Sequence, residues 1–375
     1  MKLVYIANIR IPTEKAHGLQ IMKTCEALVK QDVDLELVVP NRLNKIKEDP
    51  FSFYRVEKNF KIKKLWCIDF ITHNFFGRLG FWLESWIFCQ SVKKYLKINK
   101  FFVYYTRDLL TAYWLSKSFK PMFYEIHSLP ERVRSIHKNT WERCKGLIVI
   151  SEGIKKELIK YGVSEDKILL ARDAVDLDQF KIKETKNECR KKLNLPKDKK
   201  IVVYTGHLYD WKGADLLAKA AGLLKEGIEV YLVGGTEIDV KKFEKKYKFP
   251  NLHIVGWQKH ELIPFWLKAA DLLVLPNSAT TRIGSIYTSP VKLFEYMCVG
   301  KPIVASEVSA LEEILDYVKY PVKYFRPDDL GSLVESINHV LGNIDKFISK
   351  KELTSEGIKE FGWESRAEKI KDFVY

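Results

Sequence analysis

The chain opens twice in the same way. Residues 2–30, "KLVYIANIRIPTEKAHGLQIMKTCEALVK", and residues 200–227, "KIVVYTGHLYDWKGADLLAKAAGLLKEG", each run from a continuous apolar stretch through a polar, glycine-bearing loop into a helical pattern. A strand that is apolar on both faces belongs inside a covered sheet, so each opening predicts a parallel, doubly wound sheet with helices on either side. Two openings in 375 residues, a length beyond what one core commonly serves, predict two Rossmann-like α/β domains. Further apolar runs extend the first sheet at "DLELVVP", "FFVYYT", "PMFYEI" and "GLIVIS". In the second they fall at "EVYLVGG", "LHIVG", "DLLVLP" and "KPIVAS".

Between the halves, "DAVDLDQFKIKETKNECRKKLNLPKDKK" is charged and poor in apolar periodicity, as a linker would be. The expected boundaries are 1–181 for the first domain and 182–356 for the second. Residues 357–375, with Trp363, Ala367, Ile370 and Phe373 at helical spacing, form a helix expected to return to the first domain. Open α/β sheets bind ligands beyond the carboxyl ends of their strands, so two of them facing a cleft place site residues just after strands.

One stretch after such a strand is "YTSPVKLFEYMCVGKPIVAS", residues 287–306. Thr288 or Ser289 suits an N-cap, Pro290 the first helical position, and Gly300 a left-handed C-terminal cap. Val291, Leu293, Phe294, Met297 and Cys298 form the apolar side, while Lys292, Glu295 and Tyr296 fall together on the other. A lysine in the first turn opposes the helix dipole, and Lys before Glu is the weaker order for such a pair. Either the pair is merely solvated, or an anion sits there. In the second case the free N–H groups and the ammonium hold a phosphate, and Glu295 accepts from a ribose diol. A related pattern follows "KIVVYT": Gly206 ends the strand and Lys212 precedes Gly213 where the next helix starts. Lys212 reads as a phosphate lysine or as a surface lysine in a turn. Neither GxxxxGK[ST] nor GxGxxG occurs.

Several classes are disfavoured. The six cysteines form no CxxC pair and no Cys/His zinc spacing, and read as reduced thiols of a cytosolic protein. The first residues are too short an apolar run for a signal peptide, and nothing later reaches a membrane-spanning length. The acidic pairs at 32–34 and 176–178 lie away from the candidate phosphate site, so no metal is expected. The net charge is +15, of which +10 falls in residues 1–180. Such a surface favours nucleic acid, anionic lipid or phosphorylated small molecules, or is simply a lysine-rich thermophile surface. With no aromatic RNA motif and no helix-turn-helix, no nucleic acid is expected. In residues 75–98, Phe76, Leu79, Trp82, Leu83, Trp86 and Ile87 recur at helical spacing with lysines at the end. Packing on the sheet is the preferred reading of this stripe, and contact with an anionic membrane the other.

The strings "PTEKAHGLQIMKTCEAL", "FYEIHSLPE", "YTGHLYDWKGADLLAKAA", "VYLVGG", "NLHIVGW", "ADLLVLPNS" and "SPVKLFEYMCVGKPIVAS" span most of the chain. In content and order they resemble the retaining glycosyltransferases of the GT-B fold that use nucleotide-sugar donors. The resemblance implies that Glu295 binds the donor ribose and Lys212 the diphosphate. It implies that His127 lies near the reacting sugar, and that the loop with His17 and Gly18 closes over diphosphate and acceptor. Tyr287 stands seven residues before the matching glutamate, where the family carries another. His207 stands where the family carries an arginine after the glycine, and Lys292 is expected to supply the missing cation. The implied donor is a UDP- or GDP-sugar with no other cofactor. The implied acceptor is a glycan or lipid-linked hydroxyl, and the location cytoplasmic, at the inner membrane face if the 75–98 helix meets lipid. A sugar-nucleotide epimerase of the same fold and a basic nucleic-acid-binding protein are the alternatives. The segment "NSATTRIGSIY" is expected to be a mobile loop near the sugar.

Overall fold

A computed structural model describes residues 2–69, 77–287, 290–347 and 357–375. The chain forms two compact units, Met1–Asp173 with Trp363–Tyr375, and Ala174–Gly362. Among the described residues the first holds seven parallel strands: β1 (Lys2–Ile6), β2 (Asp34–Asn41), β3 (Lys61–Trp66), β4 (Val103–Thr106), β5 (Met122–Ile126), β6 (Gly146–Val149) and β7 (Ile168–Leu170). The second holds six: β8 (Lys200–Thr205), β9 (Ile228–Val233), β10 (Leu252–Gly256), β11 (Leu272–Leu275), β12 (Ile303–Ser306) and β13 (Val322–Phe325). The strand orders are β3-β2-β1-β4-β5-β6-β7 and β10-β9-β8-β11-β12-β13. In each, the order reverses beside the opening strand, between β1 and β4 and between β8 and β11. That reversal creates the crevice in which doubly wound sheets hold ligands.

The central strands are the continuous apolar runs: β1, β4, β5, β6 and β11 are buried almost end to end. The edge strand β3, "KIKKLW", is mostly exposed, and its lysines guard an unpaired edge. The segment read as a linker is built into the second unit. Val175, Phe180 and Cys189 join its core, and a capping box from Thr185 and Glu188 starts the helix Lys186–Lys192. The chain therefore leaves the first unit at Asp173, not at 181. It returns at Trp363, because Ile358 and Phe361 still pack in the second core while Ala367, Ile370 and Val374 pack in the first.

The helix Gly77–Ile98 turns the preferred reading of its stripe inside out. Phe81, Trp82, Leu83 and Trp86 are about half exposed and Leu79 is 81% exposed; Phe76 lies outside the described residues. The inward face carries Glu84, Ser85, Phe88, Cys89, Val92 and Leu96. Polar groups can face inward because they are matched: Glu84 pairs with Arg42 at 2.5 Å, and Ser85 Oγ accepts from Asn8 at 2.9 Å. No described helix is long and apolar enough to cross a membrane.

Candidate functional site

In the second unit, β8 delivers Thr205 and Gly206 to the crevice beside β11. Gly206 has φ +142°, and a Cβ there would lie 2.2 Å from Lys292 Cε and 2.8 Å from its Nζ. The lysine thus lies directly against the strand end, and only glycine leaves it room. The helix bearing Lys292 spans Val291–Cys298, with Pro290 at the N-cap and its carbonyl accepting from Leu293 N at 2.7 Å. Pro290 therefore stands one place before the helix rather than at its first position, which makes Lys292 the second helical residue. Thr288 and Ser289, the expected caps, lie outside the described residues. Gly300 follows the helix with φ +65° and donates to Met297 O.

The polar side of this helix is not solvated. Glu295 and Tyr296 are buried, whereas Val291 and Cys298, placed on the apolar side by spacing, are only half-buried. The Tyr296 hydroxyl accepts from Thr205 N at 2.9 Å, pinning the helix to the end of β8. That anchor draws Glu295 inward as well.

Lys212 ends the short 3-10 turn Asp210–Lys212, and Gly213 caps the helix Ala214–Ala221. Its ammonium lies 4.0 Å above the Trp211 ring. Burial pushes its pKa down to about 7, with the Lys292 charge adding to the shift and Glu295 opposing it. Lys292 is also pushed down by burial, against the pull of Glu295. His207 is lowered by burial, then by Lys292 and Lys212, and its ring stacks on Tyr209 with centroids 4.9 Å apart. Lys212, Lys292, His207 and Glu295 thus share one electrostatic neighbourhood. Spacing gave no hint of His260, whose Nε2 lies 3.7 Å from Glu295 Oε1 and whose Nδ1 faces the Gln179 amide at 2.7 Å.

Tyr287 is buried at the end of a π-helical turn, Ile283–Tyr287, with the Arg282 guanidinium 5.1 Å over its ring. Part of the segment expected as a loop is therefore helical. Among the described residues, no group of three or more His, Cys, Asp or Glu could hold a metal ion.

In the first unit His127 follows β5 directly, half-buried, with Nε2 against Glu125 Oε1. His17 and Gly18 lie in the first turn of the helix Ala16–Lys30, not in the loop before it. A Cβ on Gly18 would fall 2.2 Å from Tyr54 Oη, whose hydroxyl also donates to Thr13 O at 2.7 Å and holds the preceding loop. His17 is lowered to about 4, by burial first and then by Arg107, Lys15 and His127. His17 and His127 thus stand in one basic neighbourhood.

Known proteins resemble this chain in sequence and in architecture. A model of Glycosyltransferase Family 4 matches residues 18–179, and one of Glycosyl transferases group 1 matches residues 199–343. The amylovoran biosynthesis glycosyltransferase AmsK of Erwinia amylovora is 28% identical over 177 residues, 46% of this chain and 41% of that protein. The chain spans about half the length of the curated relatives it matches. The fold matches sucrose-phosphate synthase from Thermosynechococcus elongatus, with a TM-score of 0.76 at 18% identity over 99% of this chain and 98% of that one. It also matches Anabaena HepE in complex with UDP and glucose, with a TM-score of 0.74 at 15% identity over 99% and 98%. The two parallel-sheet units have the GT-B architecture.

Proposed function

The chain belongs to the group 1 glycosyltransferases, and on that premise we propose that it moves a hexose from a UDP- or GDP-sugar to an acceptor hydroxyl with retention of configuration. The acceptor is a glycan or lipid-linked saccharide, in the synthesis of a glycan, glycolipid or cell-surface polysaccharide. Relatives named for amylovoran and teichuronic acid biosynthesis support that class of product, and a neighbour in complex with UDP-glucose supports the class of donor.

The observation that carries the reading is a charge imbalance. Two partly buried ammonium groups, Lys212 and Lys292, act electrostatically on one another with one carboxylate, Glu295, close enough to oppose the burial of both. A diphosphate relieves the repulsion between them. As the glycosidic bond breaks, negative charge grows on the departing diphosphate, and preorganised cations there favour the transition state over the ground state. Lys212 and Lys292 take this role, with His207 as a further donor, Gly206 leaving room for the Lys292 side chain, and Pro290 setting the start of the second helix. Lys292 stands in for the arginine that His207 replaces. Glu295 binds the ribose hydroxyls, with His260 beside it. His127 lies beside the reacting sugar, and His17 with Gly18 forms the acceptor side. Tyr287, in place of a glutamate, leaves the donor sugar with an aromatic neighbour instead of a carboxylate.

Incubation with a panel of nucleotide sugars, with and without saccharide acceptors, tests this reading. Acceptor-dependent release of UDP or GDP is expected, and Lys292→Ala should lower both turnover and donor affinity. Donor interconversion without an acceptor, or normal kinetics in Lys292→Ala, would overturn it.

The exposed aromatic face of the helix Gly77–Ile98 supports a second element of the proposal, peripheral contact with an anionic membrane where a lipid-linked acceptor resides.

A further inference from the structure

Glu125, the fourth residue of β5, is buried in the first unit and surrounded by partners. Its Oε1 accepts from Arg366 Nη2 at 2.9 Å and faces His127 Nε2; its Oε2 accepts from the Tyr105 hydroxyl. Arg366 comes from the helix Trp363–Val374, 241 residues away in sequence, and is itself 3% exposed. Its other nitrogens donate to Arg172 O at 2.9 Å and Thr24 Oγ1 at 3.1 Å. The guanidinium is therefore held from the helix Ala16–Lys30, from the segment after β7, and from β5.

Burial alone would raise the Glu125 pKa, but Arg366, His127 and Arg107 outweigh it and hold the carboxyl well below the usual carboxylate range. An ionised carboxylate only accepts hydrogen bonds, so the proton between the two residues sits on Nε2. In the Nε2–H tautomer the ring's lone pair is on Nδ1, for which the described residues provide no hydrogen bond. A buried Arg–Glu pair alone is weak evidence for stability and none for function. Here its free end is a half-exposed histidine at the carboxyl end of a central strand.

We propose that Arg366 and Glu125 are positioning residues that fix His127 in the Nε2–H tautomer, leaving Nδ1 to accept a hydrogen bond from a hydroxyl of the reacting sugar. The inference rests on the reading of His127 as a residue beside that sugar. It gives the returning C-terminal helix a second task besides covering apolar surface.

Nitrogen-15 spectra of histidine-labelled protein test the tautomer without any turnover. The Nε2–H pattern is expected for His127 in the native protein, and a mixture of tautomers in Glu125→Gln. In kinetics, Glu125→Gln and Arg366→Lys should each lower kcat about 10- to 100-fold, the range that supporting partners of functional groups command, with the donor KM changed less than about twofold. Neither substitution should lower turnover further in a His127→Ala background, since both act through that ring. An unchanged unfolding midpoint in Glu125→Gln, an isosteric change, separates positioning from folding. A full additional loss in the His127→Ala background, or an Nδ1–H spectrum in the native protein, would overturn the proposal. Native turnover by His127→Ala would instead overturn the premise about the histidine, an outcome that the spectrum distinguishes from a wrong tautomer.

Discussion

Lys212 makes the proposed donor site sensitive to pH. In the folded protein burial pushes its pKa down to about 7 from an ordinary 10.5. Between those values the unfolded chain carries more protons, so this group makes the protein more stable as pH rises through that window. A bound diphosphate reverses the shift by favouring the charged amine. Binding of UDP should therefore take up close to one proton above about pH 7, and affinity should fall as pH rises toward 10. Calorimetry in two buffers of different ionisation heat measures the uptake, which should fall in Lys212→Ala; undiminished uptake in that variant would assign it to another group, Lys292 first, since burial lowers its pKa as well. Lys292 depends on its neighbour in a different way. Gly206→Ala places a Cβ 2.2 Å from Lys292 Cε, so it should weaken UDP binding much as Lys292→Ala does. The expected loss is about 10- to 100-fold for one charge-assisted contact, and the double variant should be no weaker than the worse single one. Equilibrium binding of UDP to the three variants reads this directly, and full additivity would mean that the glycine acts elsewhere.

At the scale of elements, the buried pair Arg190–Asp271 ties the helix Lys186–Lys192 to the start of β11. Arg190 donates to Asp271 Oδ2 at 2.6 Å and to the carbonyls of Ala269, Lys197 and Lys199, while Asp271 also accepts from Ile201 N at 2.8 Å. Arg190→Met should cost about 1–3 kcal/mol, because three carbonyls lose their donor and Asp271 keeps only Lys186, at 3.0 Å, as a cationic partner. Urea unfolding followed by circular dichroism checks this, and a loss below about 1 kcal/mol would mean that water replaces the arginine. The pair also marks what the sequence could disclose. The strands with continuous apolar runs were legible, since burial on both faces leaves no other pattern. The edge strand β3 was not, because its lysines look like a loop. The Gly77–Ile98 stripe was found at the right spacing but given the wrong face: spacing cannot tell which side meets the sheet when Arg42, far away in sequence, stands ready to neutralise Glu84. Lys212, Lys292 and Glu295 could be brought together from helix-start chemistry. Arg366 and His260 could not, since each is an ordinary polar residue of an amphipathic or turn segment until a distant partner is known.

At the scale of the whole molecule, charge and exposed apolar surface fall in the same part of the chain. Of the net +15, +10 lies in residues 1–180, and the half-exposed Phe81, Trp82, Leu83 and Trp86 lie there too, on a helix that ends with Lys93, Lys94 and Lys97. An aromatic face alone would serve a protein partner as well as a lipid surface, and basic charge alone a phosphorylated solute. Their combination on a helix too polar to cross a bilayer fits interfacial binding, to which each lysine near an anionic surface adds about 1 kcal/mol. The protein should therefore float with phosphatidylserine-containing vesicles at low salt, and much less with neutral ones. High salt should weaken this binding by screening the lysines, without abolishing any part carried by the tryptophans. The double substitution Trp82→Ala, Trp86→Ala should reduce flotation under both conditions while leaving UDP binding intact, because the proposed donor residues Lys212, Lys292 and Glu295 belong to the other unit. Absence of flotation at low salt would remove the membrane from the account, and salt-independent flotation would remove the lysines from it.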